Sequence, residues 1–221
     1  MKKIVIDKDS KGTIATYWAV TAILVVAAIL LIRSPWILVP TLLFLAVFAF
    51  FVFWFHRVPD RKIPAGDETL VTSVADGKIV IVERAYEGEY FKDDRIQVSI
   101  YMDFFDVHTN FWPITGTVSY YKYHPGRYLL AFLPKSSEKN EHSSTAVRNS
   151  RGEVFFKQIA GTFARRIVCY SREGMMVDRG KQCGIIKFGS RIDIYLPLDA
   201  EILVKEGEFV KAVETPIARL K

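Results

Sequence analysis

Two unbroken apolar runs open the chain. Residues Ile14 to Ile32 carry no charge, nor do Trp36 to Phe55, and only Arg33, Ser34 and Pro35 separate the runs. At an α-helical rise of about 1.5 Å per residue each run reaches roughly 30 Å, the thickness of a bilayer's hydrocarbon core. The pattern therefore predicts two spanning helices joined by a tight turn. Tyr17, Trp18, Trp36 and Trp54 fall near the ends of the runs, where amphipathic rings settle at the membrane interface. A secretory signal would have a shorter apolar stretch and no second run behind it.

Beyond Phe55 the pattern changes. A proline-bounded polar stretch, Pro59 to Pro64, reads as a linker, and after it come short β-branched and aromatic runs broken by Gly, Pro and Asp. Strands are expected over Leu70–Val74, Lys78–Glu83, Arg95–Met102, Thr117–Tyr123, Tyr128–Phe132, Val154–Ile159, Ile185–Phe188, Arg191–Leu196 and Phe209–Ala212. Ser136 to Ser144 is polar and reads as a mobile loop, while Ala164 to Ser171 fits helix or strand equally. The expected organisation is a basic flank (1–13), a two-helix membrane hairpin (14–55), a linker (56–66) and a mostly β, α+β domain (67–221). Asp76-Gly77, Thr115-Gly116 and Glu206-Gly207 each precede a β-run, which gives the domain barrel-sandwich-like hairpins. No lysine stands at a hairpin tip as a lipoyl or biotinyl carrier would need.

Charge adds an orientation. The formal net charge is +6, and residues 1–55 carry five Lys/Arg against two Asp. Lys2, Lys3, Lys8 and Lys11 precede the first run and Arg57, Arg61 and Lys62 follow the second, with Arg33 between them. The positive-inside rule then places both ends, and the domain after His56, on the cytoplasmic face of the cell membrane. No basic stripe of the kind nucleic-acid binders carry emerges. Cys169 and Cys183 are too few for a disulfide framework and read as buried structural thiols, and no metal site is expected.

Chemistry is concentrated in two places. In a strand-like Asp106-Val107-His108 the two polar side chains share a face, so a carboxylate can orient an imidazole. Lys187-Phe188-Gly189-Ser190-Arg191 sets a Gly-Ser pair between two β-prone runs, where glycine marks a bulge or a close backbone approach. The Gly-x-Ser-x-Gly elbow of one large class of serine hydrolases is absent. His56 falls in the interfacial linker, His124 precedes a Pro-Gly turn and His142 lies in the polar loop.

These residues, with others in the same order, resemble the short, membrane-anchored, pyruvoyl-dependent members of the phosphatidylserine decarboxylase family. Phe188-Gly189-Ser190 followed by Arg-Ile-Asp-Ile-Tyr-Leu-Pro resembles their self-cleavage segment, and Phe105-Asp106-Val107-His108-Thr109-Asn110 their histidine segment. Phe55-His56-Arg57-Val58-Pro59, Ala75-Asp76-Gly77, Pro113-Ile114-Thr115-Gly116, Asn140-Glu141 and Ala164-Arg165-Arg166-Ile167-Val168-Cys169 are similar as well. The resemblance implies cleavage between Gly189 and Ser190 into 1–189 and 190–221, which stay together as a heterodimer. The Ser190 hydroxyl attacks the Gly189 carbonyl to form an ester. Loss of the Ser190 α-proton then expels the Gly189 carboxylate, and the resulting dehydroalanine hydrolyses to a pyruvoyl group and ammonia. The same resemblance points to His108 with Asp76 as the base. It implies that phosphatidylserine, or a related serine phospholipid, forms a Schiff base with the pyruvoyl group, loses carbon dioxide and leaves as phosphatidylethanolamine.

Asp106, His142, Arg165, Arg166 and Lys187 are candidates to orient the base or bind the lipid phosphate. One position departs from the pattern of longer members, Asp-x-His-x-x-His: the second histidine is Phe111 here. By the residues alone, two other readings stand beside the decarboxylase. One is a non-enzymatic membrane-anchored adaptor in which Gly189-Ser190 is a bulge. The other is a serine hydrolase using Ser190.

Overall fold

The computed structural model describes residues 5–127, 140–161, 166–187 and 190–221, with Ser190 described by its backbone. The expected strand Tyr128–Phe132, together with Arg165 and Gly189, lies outside the described residues. The chain divides into two compact units, Met1–Asp60 and Arg61–Lys221.

In the first unit, β1 (Val5–Ile6) pairs antiparallel with β2 (Arg57–Val58), and between them run α1 (Lys11–Leu31) and α2 (Pro35–Phe55). Pro35 opens α2, where its missing N–H belongs to the unbonded first turn. The helices pack antiparallel: Trp18 stacks on Phe53 at 6.1 Å, Tyr17 meets Phe48 edge-on, and the Trp18 Nε1–H donates to the Ala49 carbonyl at 3.1 Å. Both are long and apolar enough to cross a membrane. Leu30, Leu31, Trp36, Leu43 and Phe44 are exposed, so the outer surface of the pair is apolar. His56 is buried, its Nδ1–H donating to the Val52 carbonyl at 2.7 Å.

The second unit is mostly β. Its named strands are β3 (Leu70–Thr72), β4 (Gly77–Glu87), β5 (Asp93–Met102), β6 (Thr109–Phe111), β7 (Gly116–His124), β8 (His142–Asn149), β9 (Gly152–Ala160), β10 (Arg166–Cys169), β11 (Met176–Val177), β12 (Gln182–Lys187), β13 (Ser190–Leu196), β14 (Glu201–Ile202), β15 (Phe209–Val210) and β16 (Pro216–Arg219). An eight-stranded antiparallel sheet runs in the order β11-β7-β8-β9-β13-β5-β4-β15, and two three-stranded sheets, β10-β12-β6 and β14-β16-β3, accompany it.

Strand β13 sits between β9 and β5, and its sequence explains why it is central. Ile192, Ile194 and Leu196 enter the main core with Val98, Ile100, Met102 and Phe156. Arg191, Asp193 and Tyr195 alternate with them and are also buried. Two expectations are corrected here. His142–Ser144 is not loop but the start of β8, buried on both faces, and Cys169 is only partly buried, while Cys183 is fully so. The ambiguous Ala164–Ser171 stretch is strand over Arg166–Cys169.

Candidate active site

The chain changes sheet between Lys187 and Ser190, leaving β12 of a three-stranded sheet to open β13 of the large one. Ser190 is paired on both sides, with Met102 of β5 and Ala160 of β9. The other chain crossing at this end is the stretch after Met102, which leads through a turn to His108 and β6. His108 is fully buried, and its carbonyl accepts the Ile186 N–H at 3.1 Å. Met102 is thus tied to Ser190 at the start of β13, and His108 to Ile186 near the end of β12.

The His108 ring is oriented locally. Its Nδ1–H donates to the Asp106 carbonyl at 3.0 Å, which leaves the lone pair of the neutral ring on Nε2. Asp106 is not in a strand: it closes a turn, its carboxylate accepting the Asp103 N–H at 2.8 Å. The orienting group is therefore the Asp106 main chain, a contact that the Asp-x-His spacing did not predict. Beneath this segment lies a buried polar chain. The Gln158 amide donates to Asn110 Oδ1 at 2.8 Å and accepts from the Ser143 hydroxyl at 2.8 Å, and Asn110 approaches Met102 Sδ at 3.9 Å. The sequence did not single out Gln158 or Asn110; the signal it held was a neutral amide in each of two short β-prone stretches, Gly152–Ala160 and Thr109–Phe111.

Asp76 precedes β4. Its carboxylate is gripped by both terminal nitrogens of Arg61, the second at 2.6 Å, and accepts the Ala212 N–H at 2.8 Å. The neighbouring Val74 carbonyl accepts the Phe111 N–H at 2.9 Å, so this turn borders β6, the strand that follows His108. Gly77 has φ +144°, and a Cβ there would collide with the Tyr101 carbonyl oxygen. Phe111 is buried in β6. Lys187 is buried at the end of β12, opposite the exposed Arg166 on β10.

His142 stands apart from His108. Successive residues of β8 face opposite ways, and Ser143 bonds Gln158, so His142 and Ser144 face away from that chain. His142 stacks on His124 with centroids 4.3 Å apart, and its Nδ1–H donates to the Asn140 carbonyl at 2.8 Å. Burial holds its pKa below the ordinary value despite that hydrogen bond. The second gripping point at this end of the sheet is Gly126, whose α-carbon packs so closely on the Asn140–Glu141 peptide that no Cβ fits. Asn140 in turn donates to the Ala160 carbonyl at 2.7 Å, opposite Ser190.

The mostly β unit opens a central strand with Ser190 and buries His108 against the end of the strand before it, and two apolar helices precede it in the chain. The family model described as phosphatidylserine decarboxylase matches residues 48–218. A phosphatidylserine decarboxylase proenzyme of Amoebophilus asiaticus is 50% identical over 170 residues, covering 76% of this chain and 75% of that protein. Those of Parabacteroides distasonis and Cytophaga hutchinsonii are 44% and 41% identical, covering 82% and 85% of this chain and 81% and 83% of their own. The chain belongs to the phosphatidylserine decarboxylase family.

Proposed function

We propose that the chain is a proenzyme that cuts itself between Gly189 and Ser190 and then decarboxylates phosphatidylserine to phosphatidylethanolamine. The observation that carries this reading is the pairing of Ser190 with Met102 and Ala160 while His108 is tied to Ile186. The residues present fit a pyruvoyl group made from Ser190. Both neighbours of β13 hold Ser190 through its backbone, so a new chain start there stays in the sheet after scission. The piece 190–221 is further held by β15 on β4 and by β16 on β3.

His108 moves the protons. With Nδ1–H committed to the Asp106 carbonyl, Nε2 accepts the Ser190 hydroxyl proton, passes it to the Ser190 nitrogen as the amide to Gly189 breaks, and is then free to accept the α-proton as the Gly189 carboxylate leaves. In turnover the imidazolium returns a proton from Nε2 to the carbon that has lost carbon dioxide. A pyruvoyl group at position 190 supplies a ketone that takes up the substrate amine and draws off the electrons released on decarboxylation. Asp76 supports His108 by fixing, through Arg61 and Ala212, the turn that borders β6. Lys187 and Arg166, paired across β12 and β10, present positive charge to the lipid phosphate at the same end. Here Phe111 is a packing residue, and His108 alone serves where longer relatives have two histidines.

The apolar helices hold the enzyme in the bilayer where its substrate lies, with Lys8, Lys11, Arg57, Arg61 and Lys62 placing the second unit on the cytoplasmic side. Carbon dioxide release from carboxyl-labelled phosphatidylserine in vesicles tests the reading. Wild type releases label, whereas Ser190→Ala and His108→Ala release none above background. Turnover by Ser190→Ala would sink the proposal.

A further inference from the structure

Another group of chemistry-bearing side chains lies on the sheet face opposite the Gln158 chain. Glu89 stands in the turn between β4 and β5, His124 ends β7, and His142 opens β8 directly across from it. One ligand atom from each of the three lies within 4.8 Å of the others. Glu89 Oε1 meets His124 Nε2 at 2.6 Å and the Tyr120 hydroxyl at 3.1 Å. Its Oε2 is held by Lys157 Nζ at 2.9 Å and by the Ser144 hydroxyl at 2.8 Å. The three line a cleft of about 480 Å³.

We propose that Glu89 Oε1, His124 Nε2 and His142 Nε2 form a binding site for a divalent transition-metal ion of the Zn2+ type, with a fourth position open to the cleft. Two imidazoles and one carboxylate are a donor set suited to such an ion. The outer hydrogen bonds are those that orient metal ligands: a backbone carbonyl on the far nitrogen of His142, and a hydroxyl and an ammonium on the far oxygen of Glu89. Tetrahedral coordination at about 2.0–2.2 Å spaces ligand atoms roughly 3.3–3.5 Å apart. That spacing lies between the 2.6 Å contact and the 4.8 Å span, so side-chain adjustments suffice.

Lys157 opposes a cation, but its ammonium also lies 3.5 Å from Glu87, which keeps it paired when the ion takes Glu89. Arg191, the other cation of the cleft, is paired with Asp193 at 2.6 Å, while Glu83 and Glu87 line the same walls. The field is acidic. The ion is a structural clamp: it joins the tip of the β4–β5 hairpin to the base of β7 and β8. From His142 the connection runs through Asn140 to Ala160, the residue opposite Ser190.

The test uses the full chain in detergent, stripped with a chelator and reloaded with Zn2+ or Co2+. Wild type should retain one Zn2+ per chain after desalting, show the visible bands of tetrahedral Co2+, and melt at a higher temperature with Zn2+ than with chelator. Glu89→Gln and His142→Ala should bind at least about tenfold more weakly and lose the Zn2+-dependent rise. X-ray absorption of the wild-type Zn2+ form, which depends on no variant, should show imidazole and oxygen neighbours. A sulfur neighbour would move the ion to Cys169 or Cys183 and overturn the site. Absence of stoichiometric metal, or equal binding by the variants, would leave an ion-pair network only and overturn it too.

Discussion

Gln158→Leu tests whether the buried chain from Gln158 to Asn110 positions His108, two residues before Asn110, or only stabilises the fold. Gln158 is fully buried, and its amide meets Asn110 Oδ1 and the Ser143 hydroxyl, each at 2.8 Å. Leucine removes both bonds and strands two buried polar groups at about 1–3 kcal/mol each, a loss of roughly 2–6 kcal/mol. That is a large share of the about 5–15 kcal/mol by which domains are ordinarily stable. Asn110 follows His108 by two residues, and a displacement of about 1 Å at a catalytic group lowers rates by roughly 100-fold. Leu220→Ala is the control. Leu220 is buried against Gly152, at the end of β9 far from Ala160, and its truncation costs a comparable 2–5 kcal/mol or so. Melting should be measured in the uncleaved Ser190→Ala background, and self-cleavage followed by gel electrophoresis after synthesis at a temperature where both variants are folded. The expectation is similar losses of stability, with cleavage about 100-fold slower in Gln158→Leu and near normal in Leu220→Ala. Equal cleavage rates in the two variants would refute the positioning role.

Other consequences can be checked separately. Gly77→Ala forces a side chain into the Tyr101 carbonyl at φ +144°, so it should lower the melting temperature and slow cleavage; unchanged melting would contradict the close approach. Burial opposes ionisation of Glu89, but Lys157, His124 and Ser144 outweigh it and bring its pKa from 4.5 to about 2. A carboxylate with a lowered folded pKa stabilises the fold above its unfolded pKa, so this contribution should fade as pH falls from 4.5 towards 2 and be missing in Glu89→Gln. Overlapping acid-melting curves would count against it. Paired arginines at the exposed Ile23 and Phe44 should release the chain from carbonate-washed membranes, since each costs about 2.5–3.5 kcal/mol near a helix centre; full retention would argue against insertion.

Legibility in the sequence followed the balance of apolar and polar residues. The two uninterrupted runs announced α1 and α2, and the alternation of Ile192, Ile194 and Leu196 with Arg191, Asp193 and Tyr195 announced β13. Strand β8 was hidden because Ser143, Ser144 and Thr145 are buried without being apolar. Their hydroxyls are satisfied by Gln158, Glu89 and Ser171, partners distant in sequence. Strand β6 has only three residues and owes its existence to pairing with Gln182–Ile185. Ser190 and His108 could be singled out through the resemblance of their surrounding segments. The Asp106 carbonyl on His108 and the meeting of Glu89 with His124 and His142 depend on turn geometry and strand register, which spacing along the chain does not encode.

Denaturing mass spectrometry of the purified chain tests the central claim most directly. The account predicts two pieces, 1–189 and 190–221, the smaller lighter than its serine-started sequence by the mass of one ammonia and refractory to amine-terminal sequencing. A single intact chain in active preparations, or a smaller piece that begins with an unmodified serine, would contradict it.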